Sequence, residues 1–89
     1  MADAPLTARD AAQRAARHVR ELTGLDPEGV TSLARTKDGW RVGVEVVESR
    51  RVPDSTDILA VYRVEVDTDG ELISYDRDDR YYRGRADKG

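Results

Sequence analysis

With 89 residues the chain is sized for one domain around one modest core, and the complete lack of cysteine excludes disulfides and thiolate metal sites within it. Its 15 basic and 18 acidic residues leave a net charge of −3. That dense mixture of signs suits a solvated surface and gives no general attraction to nucleic acid.

Residues 1–6 carry neither a basic n-region nor an apolar h-region, so a flexible end rather than a signal peptide is expected there. No apolar run approaches the ~20 residues needed to span a bilayer, so no membrane insertion is expected either. Thr7 offers an N-cap, with Asp10 three residues on. Ala8, Ala12, Ala15, Val19 and Leu22 then recur at helical spacing, and Arg9, Gln13, Arg14, Arg17, Arg20 and Glu21 fill the remaining surface. The pattern predicts an amphipathic helix of about four turns. Gly24 is placed to end it in a left-handed position. Asp26-Pro27-Glu28-Gly29 reads as a turn.

From Val30 the period shifts toward two, predicting a first strand over Val30 to Lys37. Asp38-Gly39 suits the positive φ of a type I′ hairpin turn. Trp40, Val42, Val44 and Val46 alternate with Arg41, Gly43 and Glu45 on a second strand. Pro53 marks Val52 to Thr56 as a loop. Ile58, Ala60, Tyr62, Val64 and Val66 form the apolar face of a third strand, against Arg63, Glu65 and Asp67. Thr68-Asp69-Gly70 is the next turn, and a fourth strand begins at Leu72 and heads toward Tyr82. Residues 7–84 are expected as a single domain and 85–89 as a flexible tail.

The fold class is therefore α+β: an N-terminal amphipathic helix packed on one face of a three- to four-stranded antiparallel meander. The plan is similar to that of PepSY-type domains. Trp40 is the expected largest contributor to a core of Val, Leu, Ile and Ala. Arg41, Glu45, Arg63 and Glu65 lie on the opposite sheet face.

Chemistry is sparse. His18 is the single histidine and has no second ligand to share a metal with; it reads as a solvated surface residue. Asp67, Asp69 and Glu71 form only a fragment of a calcium loop, so a tight turn is expected. Asp76, Asp78 and Asp79 interleave with Arg77 and Arg80, a pattern of local ion pairs. No nucleophile–base pair and no phosphate-cradling glycine loop can be named, so neither an enzyme nor a cofactor is expected. Arginine and tyrosine between Arg77 and Arg83 suit a protein-contact hot spot. The aspartates among them would repel a phosphate backbone.

One longer pattern is more specific. It reads Trp40-x-Val42-x-Val44-Glu45-Val46-Val47-Glu48, then Arg51-Val52-Pro53-Asp54-Ser55-x-Asp57-Ile58-Leu59-Ala60-x-Tyr62. Val64-x-Val66-Asp67-x-Asp69-Gly70-Glu71-Leu72, Tyr75-x-Arg77 and Arg80-Tyr81-x-Arg83-Gly84 follow. This closely resembles the gas vesicle protein O family, with one departure at Arg63, where an acidic residue is expected. The resemblance implies an accessory role in gas vesicle assembly, in the cytoplasm, through binding the structural shell protein and other accessory proteins. The candidate contact residues are Arg50, Arg51, Pro53, Asp54, Asp57, Tyr62, Arg77, Arg80, Tyr81 and Arg83. The loop and the chain end that carry most of them are expected to lie together. Two alternatives are a nucleic-acid-binding regulator using the arginine-rich helix, and a PepSY-like inhibitory or binding module.

Overall fold

Helix α1 covers Ala8–Thr23 and begins where its cap is encoded, with the Asp10 N–H donating to Thr7 Oγ1 at 3.1 Å. It ends at Gly24, whose φ of 76° lets its N–H reach the Arg20 carbonyl at 2.8 Å. The computed structural model describes residues 6–85. The expected loose ends therefore lie outside the described residues, apart from Leu6 and the backbone of Arg85. Leu6 itself is half-buried and packs against the core.

Four strands follow: β1 (Asp26–Arg35), β2 (Gly39–Ser49), β3 (Ile58–Asp67) and β4 (Leu72–Tyr82). They form one antiparallel sheet in the order β1-β2-β3-β4. Short 3-10 turns lie at Asp54–Thr56 and Arg83–Arg85. The helix-plus-meander plan is thus the one the periodicities predict, with four strands.

Two local expectations are corrected. Asp26-Pro27-Glu28-Gly29 is not a free turn but the start of β1, with Asp26 opposite Val47 and Pro27 opposite Val46. Proline is tolerated there because β1 is an edge strand and Glu28 sits at a register shift. Asp38-Gly39 is not a type I′ turn either. Neither residue has a positive φ; among the described residues only Gly24 and Gly70 do. Instead the Thr36 N–H donates to the Gly39 carbonyl at 2.8 Å, and Thr36 Oγ1 accepts the Gly39 N–H at 3.0 Å. Gly39 is required for closeness: a Cβ there would lie 2.0 Å from the Val66 carbonyl oxygen on β3.

The core lies between α1 and the sheet. Ala11, Ala15 and Val19 pack on Val42, Val44 and Val46 of β2 and on Ala60, Val64 and Val66 of β3. Trp40, expected as its largest member, is only half-buried, with the Arg35 guanidinium 5.3 Å above its ring. His18 is also not free in solvent. Its Nε2 lies 2.9 Å from the Gly70 carbonyl, so it carries the proton and pins α1 to the β3–β4 turn. In that turn Asp67 Oδ1 accepts the N–H groups of Asp69 and Glu71 at 2.8 and 3.0 Å. This explains the D-x-D-G-E pattern as an Asx-type turn.

The helix has 16 residues, about 24 Å of length, while 11-residue β2 and β4 run about 36 Å. It touches β4 least of the four strands. Where β1 begins, the last turn of α1 reaches it through Arg20 and Asp26 at 3.5 Å, and the ends of β2 and β4 run on past that point, outside the cover.

Candidate protein-docking site

That uncovered end gathers most of the candidate contact residues. After β2 the chain passes through Arg50 and Arg51 and a cis Val52–Pro53 bond. The carbonyls of Pro53 and Asp54 then accept the N–H groups of Thr56 and Asp57 at 3.1 and 2.9 Å, which turns the chain into β3. Asp57 is only 2 % exposed. Its Oδ1 accepts the Arg51 N–H at 2.5 Å, and its Oδ2 sits 3.1 Å from an amino group of Arg83. Its carbonyl accepts the Arg83 N–H at 2.8 Å. One carboxylate thus fastens the loop to the end of β4. The Arg51 N–H holds the Asp57 carboxyl below the ordinary aspartate value, helped by Arg83 and Arg50 and opposed by desolvation.

Arg83 continues across the sheet to Glu28 on β1 at 3.1 Å. Glu28 and Asp57 both favour its charged form. Arg50 pairs with Asp26, also on β1, at 3.7 Å. On the helix side, Glu48 is the extra residue at a bulge between Val47 and Ser49. Its side chain is 14 % exposed, accepts from Arg77 at 3.0 Å and forms an ion pair with Arg80 at 2.8 Å. Ala60, directly between Val46 and Arg80, is small enough to let these arms meet over β3.

Tyr81 faces the other way. It lies across from Leu59, and its hydroxyl donates to Glu45 Oε2 on β2, so its ring spans β3. Val47 and Leu59 are buried on this face. Burial first, and the Glu45 carboxylate second, push the Tyr81 hydroxyl up to about 12. Farther along the same face, Arg41 pairs with Glu65 at 3.3 Å and Arg63 with Asp78 at 2.6 Å. The departure at Arg63 thus has a local partner.

The structure brings together Arg50, Arg51, Pro53, Asp54, Asp57, Arg80, Tyr81 and Arg83, with Arg77 joined through Glu48. Tyr62 stands apart in the middle of β3. It packs against the core, its ring centroid 6.2 Å from that of Tyr75.

The apolar tips lie in the same loop and chain end, although neither is among the candidate contact residues. Val52 is 98 % exposed, and Tyr82 is 47 % exposed. Both had a signal: Val52 precedes a proline that cannot join a ladder, and Tyr82 must face away from Tyr81. The Tyr82 ring borders two shallow grooves. One, of about 220 Å³, is lined by Ile58, Arg80, Tyr81 and Tyr82. The other, of about 440 Å³, is lined by Arg51, Ser55, Thr56 and Tyr82. Among the described residues no three His, Asp or Glu side chains converge to hold a metal ion. The arrangement can present a stiff charged frame with apolar points to another molecule.

Comparison with known proteins places the chain in a family. A family model described as "Gas vesicle synthesis protein GvpO" matches residues 1–87. The chain is 54% identical to a Streptomyces "Gas vesicle protein O" over 68 residues, which is 76% of this chain and 53% of that protein. It is 37% identical to the "Gas vesicle protein O" of Haloferax mediterranei, covering 92% of this chain and 59% of the relative. "Gas vesicle protein O1" of Halobacterium salinarum is 36% identical, covering 88% of this chain and 66% of the relative. The chain thus spans between about half and two thirds of the length of these curated relatives. No solved structure matches it. On the family match and these identities, the chain belongs to the gas vesicle synthesis protein GvpO family.

Proposed function

We propose that this chain takes part in gas vesicle synthesis as a non-catalytic, protein-binding factor. It acts as an adaptor or chaperone-like protein in the cytoplasm and docks the shell protein or other accessory proteins on the uncovered end of its sheet. The observation that carries this reading is the Asp57 clasp. It joins a loop and a strand end into one surface and leaves Val52 and Tyr82 exposed between arginines. Apolar and aromatic points within a charged rim have the composition of protein hot spots. The carboxylates there, Asp57, Glu48 and Glu45, bond to arginines and a tyrosine hydroxyl, so they serve the frame rather than an acid–base step. No helix among the described residues is long and apolar enough to cross a membrane.

Capture of gas vesicle proteins by the full chain tests the reading. Val52→Glu combined with Tyr82→Ala is expected to lose at least about 2 kcal/mol of binding, the scale of a hot-spot pair. Because Val52 is fully exposed and Tyr82 about half exposed, the cost in stability should be on the order of 1 kcal/mol, a fall of less than about 10 °C in melting temperature. Undiminished capture by this double variant would remove the proposed surface.

A further inference from the structure

Arg51 differs from the arginines around it. Arg50 pairs with Asp26, Arg77 and Arg80 with Glu48, and Arg83 with Glu28 and Asp57. Arg51 has no carboxylate within pairing distance among the described residues. Its position is nevertheless fixed twice. The backbone N–H is held by Asp57 Oδ1 at 2.5 Å, and Nε donates to Ser49 Oγ at 3.0 Å. Anchoring Nε leaves the two terminal amino groups, a planar fork whose spacing matches the two oxygens of a carboxylate.

Arg51 itself lines the groove shared with Ser55, Thr56 and Tyr82. The Thr56 hydroxyl is committed to the Pro53 carbonyl at 2.8 Å. The Ser55 hydroxyl makes no hydrogen bond among the described residues, so it remains a second donor. The Tyr82 ring supplies an apolar wall, and fully exposed Val52 follows Arg51 directly. Asp54, exposed in the same loop, and Asp57 set the anion the groove prefers. They disfavour a dianionic phosphate, which calls for more than one unpaired cation. A single carboxylate needs only the one.

We infer that the groove between the Arg51–Asp57 loop and Tyr82 is a carboxylate notch that takes an acidic side chain of a protein partner. Apolar neighbours of that side chain lie against Tyr82 and Val52. The inference rests on the docking reading above and names the chemistry of its partner: an acidic residue flanked by aliphatic ones.

The test is an amide-shift titration of the full chain with a short peptide of alternating leucine and glutamate, beside its leucine–glutamine counterpart and inorganic phosphate. Shifts should concentrate at Arg51, Ser55, Thr56 and Tyr82. The glutamate peptide should bind about tenfold tighter than its counterpart, the scale of a charge-assisted fork. Arg51→Gln should abolish that preference without unfolding the loop, because the bond to Asp57 comes from the backbone and survives. Equal binding of the two peptides, shifts centred on Arg9 and Arg17 of α1, or the same shifts produced by phosphate at lower concentration would each overturn the notch. Capture of gas vesicle proteins by the Arg51→Gln chain separates the two readings. Undiminished capture by the Arg51→Gln chain ends the notch and leaves the docking surface standing. Loss of capture in Val52→Glu/Tyr82→Ala with Arg51→Gln also impaired supports both.

Discussion

Substituting Gly39 tests how the β1–β2 hairpin is built. A methyl group at this position would sit 2.0 Å from the Val66 carbonyl oxygen and 2.6 Å from the Asp67 Cα. Both obstacles are backbone, so no side chain can swing aside. Relief requires β2 and β3 to part by about 1 Å at that point, which places the cost at the upper end of overpacking, about 3 kcal/mol. A chain of this size has only about 5–10 kcal/mol to lose. At roughly 4–8 °C per kcal/mol for a domain of this length, the melting temperature should fall by more than about 10 °C. Urea denaturation and thermal unfolding of Gly39→Ala and Gly39→Asn measure this. Asparagine is the discriminating variant, because a positive-φ turn accepts it and a tight strand contact does not. A Gly39→Asn chain within about 0.5 kcal/mol of the parent would refute the packing argument and restore a turn role.

Three further outcomes follow from the uncovered end. Glu48→Ala removes the shared acceptor of Arg77 and Arg80, whose side chains are about half exposed. It should cost about 1–2 kcal/mol in urea denaturation, and Arg77→Ala in that background should add little. Asp57→Ala should free residues 50–57, read as faster amide exchange at Arg51 and Arg83 with the core unchanged. Because the Asp57 carboxyl is held below its ordinary value, its contribution is present above about pH 4. It is lost only as pH falls through the lowered value, so the protection of the Arg51 amide relative to an unfolded one should hold from pH 7 to about 4 and fall below that. Tyr81 should ionise after an ordinary tyrosine of about 10, near its raised value of about 12, in an ultraviolet titration. A raised value in the folded chain means the stabilisation is whole below about pH 10 and fades between there and about 12. Glu45→Gln should lower the value without returning it fully, since burial is the larger cause.

Much of the fold was legible because it depends on periodicity. The alternation at Val42, Val44 and Val46 and at Ala60, Val64 and Val66 is the core, and the Thr7 and Gly24 signals bound the helix as read. The failures came where a residue has two physical uses. Glycine at position 39 serves close packing or positive φ equally well, and the sequence does not separate them. Pro27 signals a turn unless the strand is an edge, which only the sheet order reveals. His18 looked solvated because its partner, the Gly70 carbonyl, is distant in sequence. At the proposed docking end, Arg51 and Arg83 read as candidate charged anchors. Their common partner Asp57, and the remote acceptors Glu28, Glu45 and Glu48, depend on cross-strand register that composition does not encode.

The reach of Arg83 from the end of β4 to Glu28 on β1 has a mechanical consequence. β1 and β4 are the outer strands, and a sheet normally peels from its margins one strand at a time. Here the margins share a side chain, and the Asp57 carboxylate grips the same guanidinium from the start of β3. Lifting either border at this end breaks the same knot. A pull on either outer strand at this end is therefore shared through Arg83 between the two borders and the start of β3, instead of falling on one strand alone.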